Sequence, residues 1–241
     1  MPSDSRMLLE RLAVDLAALC SDPEDLGHTF DLLNASYSTA VAQAARDRLK
    51  ADPAIQPLIS ERYWGHWPAL SELMAMPAGS LGHVYGMFMS SQGLDQLPDP
   101  ELPADVANED TYLQVRIRRT HDIWHVIAGL PITLAGEAAT NGLTTEQLRW
   151  PGSALLIAAD LIHRVSVPDA GSGESNDVDL GVAVAHGLTL GATAPPLLAQ
   201  RWEEGWERPL QSWREELGLT ALIKASPFGV LPGELPAPSA N

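Results

Sequence analysis

Apolar residues recur every three or four positions through most of the chain, and this helical spacing constrains the fold more than any other feature. Leu8, Leu12 and Leu16 follow it in the first segment, so their side chains would share one face of a helix. Alternating runs of β-branched residues, which are typical of strands, are scarce. The sequence therefore predicts an all-α protein: a single-domain multi-helix bundle over residues 1–241, with an ordered core at about 6–225 and a proline-rich tail at 226–241.

Prolines, glycines and polar runs divide the rest of the chain into segments. Further helices are predicted at about 29–50, 81–93, 111–129, 132–140, 145–167 with a break at Pro151, 178–193 and 195–217. Short helices and turns are expected over 51–80, where four prolines fall, and surface loops over 97–110 and 169–179.

Composition excludes several classes of protein. Of the residues, 45% are apolar and the net charge is -16, with a pI of about 4.6. Such an acidic chain is a poor partner for nucleic acid and for anionic lipid alike. Its one cysteine, Cys20, cannot form an internal disulfide. With no signal-peptide pattern at the N-terminus and no uninterrupted apolar span, the sequence predicts a bacterial-type cytoplasmic protein without a transmembrane helix.

The motif His-Asp-x-x-His lies within the predicted helix over 111–129. Because an α-helix turns about 100° per residue, His125 falls about 40° and Asp122 about 100° from His121. Two imidazoles four positions apart can bind one metal ion. The spacing alone leaves a second reading open, in which both histidines are ordinary half-buried polar residues.

Glu137 is the candidate that would complete a site. On a straight helix it would lie about 18 Å beyond His125 and about 120° around the axis. Gly129 and Pro131 fall between the two, and both permit a sharp bend that returns Glu137 to the histidine face. Two imidazoles and two carboxylates suit zinc, and also Fe(II) or Mn(II). The predicted metal centre thus lies on a bent helix pair and consists of His121, Asp122, His125 and Glu137.

Arg118 precedes the motif by one turn and falls about 60° from His121 on the helix. It could bind a substrate carboxylate or phosphate. The alternative is a solvated cationic face made together with Arg116 and Arg119. Both interpretations stay open at this stage.

The remaining candidates have structural explanations. An apolar channel and an ordinary core are alternatives for Tyr85, Met87, Phe88 and Met89. The other histidines have no ligand spacing with one another and are predicted to be structural: His28, His66, His83, His163 and His186. Among them, His83 is the best candidate for a functional role. Three tryptophans are expected to be packing residues on the last long helix: Trp202, Trp206 and Trp213. Signatures of serine hydrolases, P-loops and dinucleotide-binding folds are absent.

At these residues the chain resembles the ubiquinone (coenzyme Q) biosynthesis protein 4 family. That family's hallmark is His-Asp-x-x-His followed after eleven residues by Glu, which His121 to His125 and Glu137 match. The segment Met76–Met89 and the stretch 201–218, similar to the family's C-terminal helix, match as well. Together the three segments cover most of residues 30–220. Pro131 departs from the family, where polar or small residues are more usual.

The resemblance implies a divalent metal, usually described as zinc, bound by His121, Asp122, His125 and Glu137. It also implies a groove for a polyprenylated aromatic lipid, and association with membranes and with other ubiquinone biosynthesis proteins. A location at the inner face of the membrane and a homodimer are further expectations for this chain. The activity linked to the family replaces the ring carboxylate of a polyprenylated hydroxybenzoate with a hydroxyl. His121, Asp122 and Arg118 would then have catalytic roles, with Arg118 orienting the carboxylate.

Two alternatives to this enzyme remain. The protein could be a non-catalytic scaffold that binds a polyprenyl lipid and organises other ubiquinone biosynthesis enzymes. It could also be a metal-dependent hydrolase in which Asp122 is a base and not a ligand.

Overall fold

The computed structural model describes residues 2–97, 107–166 and 178–234, with side chains described from residue 6 onward. Its helices are α1 (Pro2–Ser21), α2 (Leu26–Tyr37), α3 (Ala40–Ala51), α4 (Gln56–Glu61), α5 (Leu70–Met74), α6 (Leu81–Ser91), α7 (Glu109–Ala128), α8 (Leu134–Leu148), α9 (Pro151–Ser166), α10 (Leu180–Thr193), α11 (Leu210–Glu216) and α12 (Thr220–Lys224). Over the described ranges no strand is present, and one isolated bridge joins Ser80 to Pro209. The all-α prediction is confirmed.

Three of the predicted helices are wrong in extent. The helix expected to end at about 140 runs on as α8 to Leu148. The helix expected over 29–50 is split, since the Thr39 hydroxyl accepts a hydrogen bond from the Ala42 amide at 3.2 Å and starts a new helix. The helix expected over 195–217 is absent: two 3₁₀ turns at Leu197–Ala199 and Trp202–Glu204 precede the short α11. Prolines at 195, 196 and 209 lack the N–H that a continuous helix needs.

The three C-terminal tryptophans are buried, as packing residues should be, but they do not share one helix. Most of each predicted surface loop, at 98–106 and 169–177, lies outside the described residues. Among the helices that are described, none combines the length and hydropathy that crossing a membrane requires.

The chain divides into two compact units, each built from two stretches of sequence. The first unit comprises Met1–Arg48 and Thr133–Ala192, and the second comprises Leu49–Ile132 and Thr193–Asn241. The single domain over 1–241 stays a prediction.

In the first unit, α1 packs on α2 and α9, and α9 also packs on α8. The core of this unit contains the fully buried Leu19 of α1, Leu32 of α2 and Ala159 of α9. Helices α8 and α10 cross at very short range, because a Cβ at Gly187 would lie 1.8 Å from the carbonyl oxygen of Ala139. Only glycine allows the two backbones to approach so closely.

In the second unit, α6 packs on α5 and α7, and α7 also packs on α4 and α11. An aromatic cluster connects α6 with two loops: the Trp67 ring lies 5.2 Å from Trp206 and 6.3 Å from Tyr85 of α6, in edge-to-face geometry. Rings in this arrangement contribute beyond the area they bury. Arg119 of α7 lies 4.2 Å over the Trp67 ring, so the cluster contacts α7.

An ion pair between α1 and α2 should make the stability of the first unit depend on pH. His28 Nδ1 lies 3.0 Å from the Asp15 carboxylate. That hydrogen bond raises the pKa of His28 above its usual 6.5; Asp25 and Asp31 add to the effect, while desolvation opposes it. A base whose pKa is raised by folding stabilises the protein below its unfolded pKa, and this stabilisation is lost as the pH rises through the folded value.

We therefore expect the melting temperature to fall as the pH rises from about 6 to about 8. The Asp15→Asn variant should lose this part of the slope, which thermal unfolding across the pH range would measure. The same slope in the variant and the parent would contradict the prediction.

Candidate metal centre

Helix α7 positions the His-Asp-x-x-His motif, and it ends where the sequence predicts. Asn108 caps its start by accepting a hydrogen bond from the Thr111 amide at 3.0 Å. Gly129 ends it in the left-handed conformation, with φ of 68°. The Leu130 amide then donates to the His125 carbonyl oxygen at 2.9 Å, which closes the last turn. The predicted interruption between His125 and Glu137 is confirmed.

The two histidines face each other on this helix. His121 Nε2 lies 3.2 Å from His125 Nε2, with the ring centroids 4.9 Å apart. His125 is 1% exposed, and its Nδ1 lies 3.1 Å from the carbonyl oxygen of Leu130. Because a carbonyl oxygen only accepts, Nδ1 carries the hydrogen and Nε2 keeps a lone pair. A histidine held in this way is typical of a metal ligand.

The distance between the two Nε2 atoms fits a shared cation. With zinc–nitrogen bonds of about 2.0–2.1 Å, tetrahedral geometry separates two ligand atoms by about 3.3 Å. The observed 3.2 Å is close to this value. The Phe88 ring lies 5.8 Å from the His125 ring and covers it with an apolar surface. The pair can therefore bind a divalent ion without a large rearrangement.

Asp122 occupies a different position on the helix. Its side chain is half-buried, and its carboxylate is not among the candidate ligand atoms near the two imidazoles. Its negative charge acts on the Tyr85 hydroxyl, whose pKa is raised first by burial and then by Asp122. The role of Asp122 as a ligand stays a prediction.

Glu137 lies in the first turn of α8, in the first unit. Thr133 caps that helix through a hydrogen bond from the Gly136 amide at 3.1 Å, and the Glu137 amide donates to the Thr133 carbonyl at 2.8 Å. A carboxylate is favoured at a helix N-terminus. Within the same unit, burial and then the charge of Glu137 raise the pKa of Asp160 to about 7. Glu137 therefore has a second, buried carboxyl group near it in the first unit.

The arginines before the motif differ from both predicted arrangements. Arg118 is exposed, whereas Arg116 and Arg119 are 1% and 6% exposed. The solvated cationic face is therefore wrong for these two. Arg116 pairs with the buried carboxylate of Glu203 at 2.7 and 3.3 Å, and Arg119 lies 4.2 Å over the Trp67 ring.

A signal for this burial was available in the sequence. Arg116 and Arg119 continue the spacing of Tyr112 and Ile123, four, seven and eleven positions along one helix face. Because both side chains are charged, an exposed position is the ordinary expectation for them. The partner of Arg116 is Glu203, which lies 87 residues away. Sequence spacing cannot identify such a partner.

The other candidates are structural. Tyr85, Phe88 and Met89 are at most 2% exposed and belong to the core, while Met87 is half-buried. Two further histidines bond to backbone oxygens: His83 Nδ1 lies 2.9 Å from the Met74 carbonyl and His163 Nδ1 lies 3.0 Å from that of Cys20.

Fold and site together define an all-helical protein with a candidate divalent-metal centre. Residues 22–222 match the sequence pattern of the coenzyme Q (ubiquinone) biosynthesis protein Coq4 family. Because this match covers most of the chain, the chain belongs to that family.

Similar proteins include the "Ubiquinone biosynthesis protein COQ4 homolog, mitochondrial" of Rattus norvegicus, 28% identical over 179 residues, and that of Homo sapiens, 26% identical over 185. The matches cover 73% of this chain and 64% of each relative. A solved structure from Nostoc punctiforme PCC 73102, provisionally assigned to ubiquinone biosynthesis, is 26% identical with a TM-score of 0.71; the match covers 88% of this chain and 98% of that one.

Proposed function

We propose that the protein is a metal-dependent enzyme of ubiquinone biosynthesis that releases the ring carboxylate of a polyprenylated hydroxybenzoate as carbon dioxide and puts a hydroxyl in its place, with dioxygen as the oxidant. Membership in the Coq4 family supports the pathway. The observation that supports the chemistry is the pair of Nε2 atoms, 3.2 Å apart, of which one belongs to a buried and oriented imidazole.

The proposed metal site comprises His121, His125 and Glu137, with Asp122 as a fourth ligand. Imidazole nitrogens and carboxylate oxygens are the donors that a borderline divalent ion accepts. We propose zinc, with Fe(II) and Mn(II) as the alternatives that the same donors allow.

A bound divalent ion would supply Lewis-acid chemistry at the substrate carboxylate or phenolate. The chain's own residues would do the rest. Leu130 keeps the His125 ring in one orientation, and Phe88 excludes water from one side of that ring. Arg118 is the proposed partner of the substrate carboxylate, and its exposed guanidinium is accessible to a ligand from solvent.

The surroundings of this enzyme are part of the proposal. We propose that it acts in the cytoplasm, at the inner face of a membrane, as a homodimer and with other ubiquinone biosynthesis proteins. The mitochondrial relatives bear on the pathway and not on this location.

The test uses the purified full chain loaded with Zn(II), Fe(II) or Mn(II) in air. Its substrate is a prenylated hydroxybenzoate with a ¹³C-labelled carboxylate. We expect labelled carbon dioxide and a hydroxylated ring from the metal-loaded protein, and neither product from the chelator-treated protein or from Glu137→Ala. The Arg118→Gln variant should raise KM more than it lowers kcat. Tight lipid binding without carbon dioxide release would overturn the enzyme and favour the lipid-binding scaffold.

A further inference from the structure

Arg214 bonds to the end of the metal-binding helix, although it lies 89 residues beyond His125. The side chain is 2% exposed. Its Nε donates to the Ile127 carbonyl at 3.0 Å and its Nη2 to the Val126 carbonyl at 2.9 Å. The last carbonyls of a helix have no donor within the helix, so a cation at this place satisfies them and opposes the negative end of the helix dipole.

These two carbonyls belong to the residues that directly follow His125. The turn beyond them is held against the same guanidinium, since a Cβ at Gly129 would lie 3.3 Å from Arg214 Nη2. Leu130, in that turn, forms two hydrogen bonds with His125. Its amide donates to the His125 carbonyl, and its carbonyl accepts from the His125 Nδ1. Arg214 therefore supports the backbone that orients the imidazole.

The third nitrogen of the guanidinium is occupied by the C-terminal segment 231–234, which we call the strap. Arg214 Nη1 forms an ion pair with Glu234, whose other oxygen accepts from the Leu231 amide at 3.2 Å. Leu231 is 4% exposed, and a Cβ at Gly233 would lie 2.8 Å from the Met87 Cβ. The strap is thus packed on α6 and neutralises the buried arginine, which would otherwise be costly to keep charged.

We propose that Arg214 is a positioning residue for the candidate metal centre, and that the strap, through Glu234, keeps it in place. Arg214 touches no reacting atom. It acts through the last turn of α7 and Leu130, which set the orientation and the tautomer of His125. The inference rests on the proposed function, because it assigns that imidazole to a metal.

Three variants of the full chain test the proposal: Arg214→Gln, Arg214→Lys and Glu234→Gln. Arg208→Gln is the matched control. Arg208 lies in the same segment, 4.4 Å over the Trp213 ring, and its guanidinium donates to the Ser212 carbonyl and to Glu216 within that segment. The readouts are the Kd for Zn(II), the tautomer of His125 by long-range ¹⁵N–¹H correlation in metal-free protein, and the melting temperature without metal.

For Arg214→Gln we expect Zn(II) binding to weaken by about 10- to 100-fold, the range for lost outer partners of metal ligands. The single Nδ1–H tautomer of His125 should give way to a mixture. Arg214→Lys and Glu234→Gln should lie between this variant and the parent, and Arg208→Gln should stay within about twofold of the parent.

If Arg214 were only structural, Arg214→Gln would lower the melting temperature but leave the Zn(II) affinity and the His125 tautomer unchanged. That result would overturn the proposal. If Arg214→Gln does not fold, the same comparison is made on Arg214→Lys and Glu234→Gln. If the parent protein binds no metal, the proposed function fails, and the tautomer measurement still decides whether Arg214 orients His125.

Discussion

Replacing His125 with alanine is expected to weaken binding of a divalent metal by more than about a hundredfold. Loss of even an outer partner of a metal ligand costs 10- to 100-fold, and loss of the ligand itself should cost more. His125 is also the oriented member of the pair, because its Nδ1 hydrogen bond to Leu130 directs Nε2 toward His121. Titration with Zn(II) against a chelator of known affinity, together with elemental analysis, measures the effect.

The matched control is His66→Ala, which removes an exposed histidine from the same unit. It should leave both affinity and stoichiometry unchanged. His121→Ala should match His125→Ala, and Glu137→Gln should also weaken binding if its carboxylate is a ligand. Equal metal content in parent and His125→Ala would remove the proposed centre. Unchanged affinity in Asp122→Asn would remove Asp122 from the ligand set while leaving the other three.

The second large effect is expected at Glu203, where Glu203→Gln should lower the free energy of unfolding by about 3–5 kcal/mol. The Glu203 side chain is 0% exposed and pairs with the equally buried Arg116. Removing the carboxylate charge leaves the buried guanidinium with neutral acceptors in place of the Glu203 anion, among them the Gln200 carbonyl at 2.6 Å. Urea unfolding at neutral pH, followed by circular dichroism, measures the change.

The neighbouring Glu204 is the natural comparison. It pairs with Arg201 at 3.3 Å but its side chain is 60% exposed, so Glu204→Gln should cost less than about 1 kcal/mol. The double variant Arg116→Met with Glu203→Gln should recover much of the loss, because it removes both charges from the interior. A cost at Glu203 no larger than that at Glu204 would contradict the prediction.

The elements that local sequence determines are the ones predicted well. The histidine-bearing helix ends at Gly129 as expected, because a glycine adopts the left-handed conformation without strain and a nearby proline prevents the helix from continuing. The prediction of one helix over 195–217 is wrong for a related reason, because prolines at 195, 196 and 209 lack the N–H that a continuous helix needs. Spacing is informative only where every backbone N–H is available.

The sequence by itself determined the all-α class, the helix that bears the motif, and the facing of His121 and His125, since each follows from geometry over a few residues. Only the tertiary structure decided which arginines are buried, and which groups meet them. Arg116 pairs with Glu203, and Arg214 donates to a carbonyl at the end of α7, each across more than 80 residues of chain. A charge can enter the interior only when a distant segment brings a partner to it, and helical periodicity contains no information about which segment that is.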